Sequence, residues 1–190
     1  MPRIRSSRSS PRGLAPRAGA ALLVLIAAAC DSGPAGTPAI TPGTPDRPRE
    51  VVILATDYVF IPALVDLVPG ETVTIQVVNG GLAVHEAVLG PMPIQDAWEA
   101  AEGPTVSAPP GPTPRVSVPP DLAGLRVVVE SGQRRDATWT VPGSAADDPG
   151  GWLVGCHIPG HWAQGMVVPI RFVGPGGQPL RTLAAGTDGT

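Results

Sequence analysis

Apolar and polar positions along this chain follow a two-residue period more often than a helical one. Thr72–Val78 is the clearest case: Val73, Ile75 and Val77 fall on one face, and Thr72, Thr74 and Gln76 on the other. Pro69-Gly70 just before it is a turn signal. Comparable segments at Val51–Ala55, Tyr58–Ile61, Val84–Leu89, Arg126–Glu130, Ala137–Val141, Trp152–Cys156 and Val167–Val173 complete a series of short strands. Within Ala137–Val141, Ala137, Trp139 and Val141 share a face. Short strands separated by turn residues predict an all-β sandwich or barrel.

Two stretches depart from that pattern. Ile94, Ala97, Trp98 and Ala101 recur at helical spacing, which predicts a short helix over 94–101. Pro104 to Pro120 holds seven prolines, too many to donate to a strand ladder, and reads as an irregular excursion between strands.

The ends of the chain have other compositions. Residues 1–29 carry five arginines and then an apolar run, Ala18 to Ala29, that ends in small residues; they read as an export signal. The run is shorter than the ~20 residues of a membrane span. Ala27-Ala28-Ala29-Cys30 resembles the lipobox of bacterial lipoproteins, with Ala27 where that family prefers Leu. The resemblance implies cleavage before Cys30 and a lipid on that residue. A plain signal peptide with an incidental cysteine is the alternative. Residues 30–48, rich in Pro, Gly and Thr, lack the apolar surface to offset their ordering entropy and read as a tether. The folded domain is expected over 49–175, with 176–190 a flexible tail.

Without the signal, eight arginines face 16 acidic residues, a formal charge of −8. That excludes a phosphate-neutralising surface, so nucleic acid is not an expected partner. An acidic surface favours a basic docking partner instead. Cys156 is then the single unmodified cysteine of an exported chain. It can form no intramolecular disulfide, and a thiol in that compartment oxidises unless it is buried or metal-bound.

The chain has three histidines, His85, His157 and His161. Cys156, His161 and Met166 follow one another as C-x4-H-x4-M, with Pro159-Gly160 able to turn the chain back between the first two. His85 opens a strand after the Gly80-Gly81 turn and can supply a fourth group. A thiolate, two imidazoles and a distant thioether make the donor set of a blue-copper site. A lone strand histidine is ordinarily a surface or satisfied residue, and a lone methionine is ordinarily core; their conjunction with Cys156 points to one copper ion. Zinc competes for Cys and His, but the thioether and the lack of a closely spaced cysteine pair argue against a structural zinc site.

These residues make the segment from about Glu50 to Gly174 resemble the cupredoxins, the family of plastocyanin, azurin, rusticyanin and auracyanin. The loop is similar in spacing to that of rusticyanin, and Val84-His85-Glu86-Ala87-Val88-Leu89 resembles the family's histidine followed by a strand. The resemblance implies a Greek-key β-sandwich, a type 1 copper held by His85, Cys156, His161 and Met166, and one-electron transfer rather than enzymatic catalysis. It places the loop histidine nearest the surface. One departure is Glu86, where the family often has Asn to fix the two ligand strands and tune the thiolate.

His157 is open to two readings. Strand alternation turns it away from the metal if Cys156 faces it, which makes it a packed or surface residue. Cys-His adjacency also resembles multicopper oxidases, but too few histidines remain for a trinuclear centre. A second copper shared between subunits would require three copies of His157 around a trimer axis. Trp162 is expected to shield the site or to offer an apolar contact, and Trp98, Trp139 and Trp152 are expected in the core.

The expectation is an exported, lipid-anchored monomer on the outer face of the membrane or in the periplasm, exchanging electrons with a membrane redox complex or a cytochrome. The alternative is a module that delivers or stores copper.

Overall fold

The computed structural model describes residues 39–107 and 116–180; the signal, Cys30 and the last ten residues lie outside them. Among the described residues nine strands form two sheets. One has the order β2-β1-β4-β7, built from Val59–Ile61, Arg49–Thr56, Thr72–Asn79 and Arg134–Thr140. The other has the order β3-β9-β8-β5-β6, built from Val65–Leu67, Val167–Phe172, Trp152–Gly155, His85–Pro91 and Leu125–Val129. The chain crosses between sheets after β2, β3, β4, β6 and β7, as a Greek-key sandwich requires. Both sheets are mixed, with β1 parallel to β4 and β3 parallel to β9.

The period-two pattern explains which faces meet. Val73, Ile75 and Val77 of β4 are fully buried, as are Ile53 and Ala55 of β1, and they pack with Val154, Ile170 and Val129 of the opposite sheet. Each valine or isoleucine taken fully out of water contributes about 1.5–3 kcal/mol, so this face, and not the turns, decides the register. Trp152 belongs to this core and Trp139 packs on its edge, with ring centroids 6.1 Å apart.

The expected helix is longer than its apolar pattern. α1 runs Met92–Glu102, with proline in its first turn where a missing N–H costs nothing. Ile94 and Trp98 bury against Val88 in a small cluster of their own, so Trp98 lies in this outlying cluster and not in the main core. Residues 103–107 and 120–122 form 3-10 turns within the proline-rich excursion.

Both flanks of the domain are more ordered than their composition implies. Residues 39–48, expected as tether, lie against the sandwich: Thr72 N–H donates to Gly43 O at 3.0 Å, and Gly43 N–H donates to Glu71 Oε2 at 3.3 Å. The buried Glu71 carboxylate also accepts from Arg49 Nη2 at 2.6 Å and from Val68 N–H at 2.8 Å. At the other end Leu180 N–H donates to Phe172 O at 2.9 Å, and Ile40 N–H donates to Pro175 O at 3.1 Å. Residues 176–180, expected as tail, therefore fold back on β9. Polar, proline-rich segments can be held by backbone bonds to sheet edges, a source of order that composition does not report.

Candidate metal centre

Three ligand-bearing side chains converge at one end of the sandwich. His85 is the first residue of β5; Cys156 and His161 lie on the connection from β8 to β9, which Met166 closes. His85 Nδ1 is 3.2 Å from His161 Nδ1, and Cys156 Sγ is 3.3 Å from the same nitrogen. One ligand atom from each of the three residues fits within a 4.8 Å span. His85 and Cys156 are fully buried and His161 is 6% exposed.

The loop folds this way because its own backbone ties it. Gly160 and Gly165 take φ of +89° and +85°, conformations open to glycine, on either side of a 3-10 turn at Trp162–Gln164. His161 N–H donates to Ile158 O at 2.9 Å, Met166 N–H to His161 O at 3.1 Å, and Cys156 N–H to Met166 O at 3.1 Å. Met166 is fully buried within the core at this end.

Burial sets the electrostatics. Desolvation pushes the Cys156 thiol up to about 12, while backbone N–H groups of Glu86 and Ile158 pull the other way. Desolvation, then the neighbouring His85, lowers His161 below the usual histidine range. A neutral imidazole is a ready ligand, and the thiol must give up its proton to become one. The test of fit is the chemistry of the donors: two Nδ1 atoms and one sulfur, dry, convergent and free of carboxylates. This set fits a single type 1 copper ion.

Around these residues lies a buried polar network centred on Glu86, the residue that departs from the family's Asn. The Glu86 side chain is fully buried; Arg126 Nε donates to its Oε2 at 2.6 Å, and His157 N–H donates to its Oε1 at 3.1 Å. Desolvation raises Glu86 while Arg126 opposes the rise. Arg126 also donates to Glu102 Oε1 at 2.6 Å and lies 4.3 Å over the Trp98 ring. Glu86, the residue after His85, is thus bonded to His157, the residue after Cys156.

His157, just beyond the end of β8, turns its ring toward α1. It is buried, with Nε2 2.8 Å from Gln95 Oε1 and Nδ1 2.9 Å from Glu99 Oε2, both on α1. With both ring nitrogens engaged inside the protein, His157 cannot reach a metal shared between subunits. Desolvation lowers its pKa, and Glu99 works against that. Trp162, expected to shield the site or to offer an apolar contact, stacks on His157 with centroids 4.8 Å apart and planes at 22°. The Tyr58 ring meets His161 edge-on at 4.9 Å. Asp57 beside it sets Oδ1 3.3 Å from His85 Nε2.

No protein-family model and no curated sequence matches this chain. Similar folds are found among solved structures. Dithionite-reduced auracyanin from Roseiflexus castenholzii aligns with a TM-score of 0.50 at 19% identity, over 66% of this chain and 97% of that one. Auracyanin A from Chloroflexus aurantiacus gives 0.49 at 21%, over 66% and 99%. At such identity the likeness establishes the fold: this chain is a cupredoxin-like β-sandwich.

Proposed function

We propose that this chain is a blue-copper electron carrier of the extracytoplasmic side. The observation that carries this reading is the convergence of His85 Nδ1, His161 Nδ1 and Cys156 Sγ in a dry pocket, closed by the loop that bears Met166. Copper bound there would supply a one-electron couple. The protein's own part is to exclude water, favour the neutral form of His161 and keep the thiolate in hydrogen bonds with the backbone. Met166, fully buried at the end of the same loop, would supply the fourth, thioether donor. His161 is the ligand nearest solvent, with Tyr58 at its side and the 89% exposed Leu82 in the loop before His85. This apolar rim is the natural meeting point for a redox partner, a membrane complex or a cytochrome.

The same burial speaks against the delivery or storage reading, because a site with one ligand barely at the surface exchanges its ion slowly. Among the described residues no helix is long and apolar enough to cross a membrane; the proposed anchor is a lipid at Cys30. Mass spectrometry of the mature N-terminus tests the anchor; an unmodified residue there removes it. The visible and electron paramagnetic resonance spectra of the copper-loaded protein test the function. An intense thiolate-to-copper band with reversible one-electron cycling is expected, and a protein colourless under oxidising conditions would overturn the assignment.

A further inference from the structure

The turn between β1 and β2 reaches both imidazoles at once. Asp57 and Tyr58 occupy its tip, and Tyr58 is the one non-glycine residue with positive φ among those described, at +68°. Such a conformation is uncommon for an aromatic residue and persists where surrounding contacts hold it. Here the Tyr58 ring rests on His161 while the preceding carboxylate faces His85. The loop from β4 to β5 fixes Asp57 in turn: Leu82 N–H and Ala83 N–H donate to the same Oδ1 at 3.0 Å and 3.3 Å. Gly81 makes room for this, since a Cβ there would collide with Asp57 Oδ1 and lie 3.0 Å from His85 Nε2.

We infer that Asp57 is the positioning residue of the metal centre, acting through His85. A carboxylate at Nε2 holds the proton on that nitrogen and leaves the Nδ1 lone pair facing Cys156 and His161. It also makes the ring a stronger donor, and its negative charge favours the more positive of two metal states. Asp57 therefore biases the site toward Cu(II). This inference rests on the copper reading above, but the Asp57–His85 bond can be observed without metal.

Two variants separate orientation from charge. Asp57→Ala removes both, and Asp57→Asn keeps an acceptor oxygen while removing the charge. In the metal-free and Cu(I)-loaded proteins, nitrogen-15 NMR should show a slowly exchanging His85 Nε2–H in the wild type and in Asp57→Asn, and its loss in Asp57→Ala. Cu(II) dissociation constants should rise about 10-fold to 100-fold in Asp57→Ala, with Cu(I) binding moving less. Each tenfold change in the ratio of the two affinities raises the reduction potential by about 59 mV. Asp57→Asn should raise the potential with the blue spectrum intact, whereas Asp121→Asn, which removes an exposed charge elsewhere, should not. An unchanged imidazole N–H in Asp57→Ala, or an affinity ratio within twofold of wild type in both Asp57 variants, would overturn the inference and leave the copper assignment standing. A wild type that binds no Cu(II) would overturn both.

Discussion

The backbone N–H of His157 donates to Glu86 Oε1 at 3.1 Å, so the residue after one ligand is bonded to the residue after another across 71 positions of sequence. The bond spans the seam between β5 and the metal loop. It is also buried, and Arg126 supplies the countercharge that lets a carboxylate stand there.

Removing that carboxylate should therefore weaken the fold before it affects any metal. Glu86→Ala leaves Arg126 with Glu102 alone and the His157 N–H without an acceptor. A loss of about 3 kcal/mol is expected for a broken buried pair, read by urea unfolding of the metal-free protein. Glu86→Gln retains an acceptor for His157 and should lose less. A loss under about 1 kcal/mol in Glu86→Ala, the size of a surface pair, would show that the seam is held elsewhere.

Cys156→Ser tests the ligand assignment. A hydroxyl fits the space but is a poor soft donor, so the thiolate charge-transfer band should vanish and Cu(II) affinity should fall by orders of magnitude. Survival of the band in the absorption spectrum would mean that the colour arises from another group.

Met166→Leu is close to volume-conserving, and the metal-free protein should lose less than about 1.5 kcal/mol. In the copper-loaded protein the loss of a donor to the electron-poor Cu(II) should raise the reduction potential, as cyclic voltammetry would record. A potential equal to that of wild type would relegate Met166 to packing.

Gly155→Ala examines the far side of the loop. A Cβ at Gly155 would press into Gln95 Oε1 and the Trp162 ring and come within 3.1 Å of His157 Nε2. Overpacking of this kind costs about 1–3 kcal/mol, and here it would displace the residue next to Cys156. Both the thermal midpoint of the metal-free protein and the intensity ratio of the blue bands should change. Retention of both would show that α1 yields freely.

The cluster of His85, Cys156 and His161 was legible in the sequence because its chemistry is rare and part of its spacing is local: the C-x4-H-x4-M loop needs no knowledge of the fold. The strands of the core were legible because period two is a property of short windows. β3 was not, since Val65–Leu67 is only three residues of the short stretch between Pro62 and Pro69. Asp57 and Tyr58 were hidden for a different reason. A polar residue at a hairpin tip is the ordinary composition of a turn, and nothing local says that His85, 28 residues later, will arrive beside it. Gln95 and Glu99 were hidden likewise, as their helical spacing would equally suit a solvent-facing side of α1. What a sequence window conceals is the identity of whatever packs opposite.

The hold of α1 on His157 has a consequence for how the molecule comes into being. Gln95 and Glu99 lie 62 and 58 positions before His157, and His85 lies 76 before His161. Contacts so distant along the chain form late, after loop closure has been met by the bulk of the strand pairing. The donors are then brought together late in folding, and the Cys156 thiol passes through that interval unprotected. The chain is at its most vulnerable to oxidation in the moments before it can hold the ion that would prevent it.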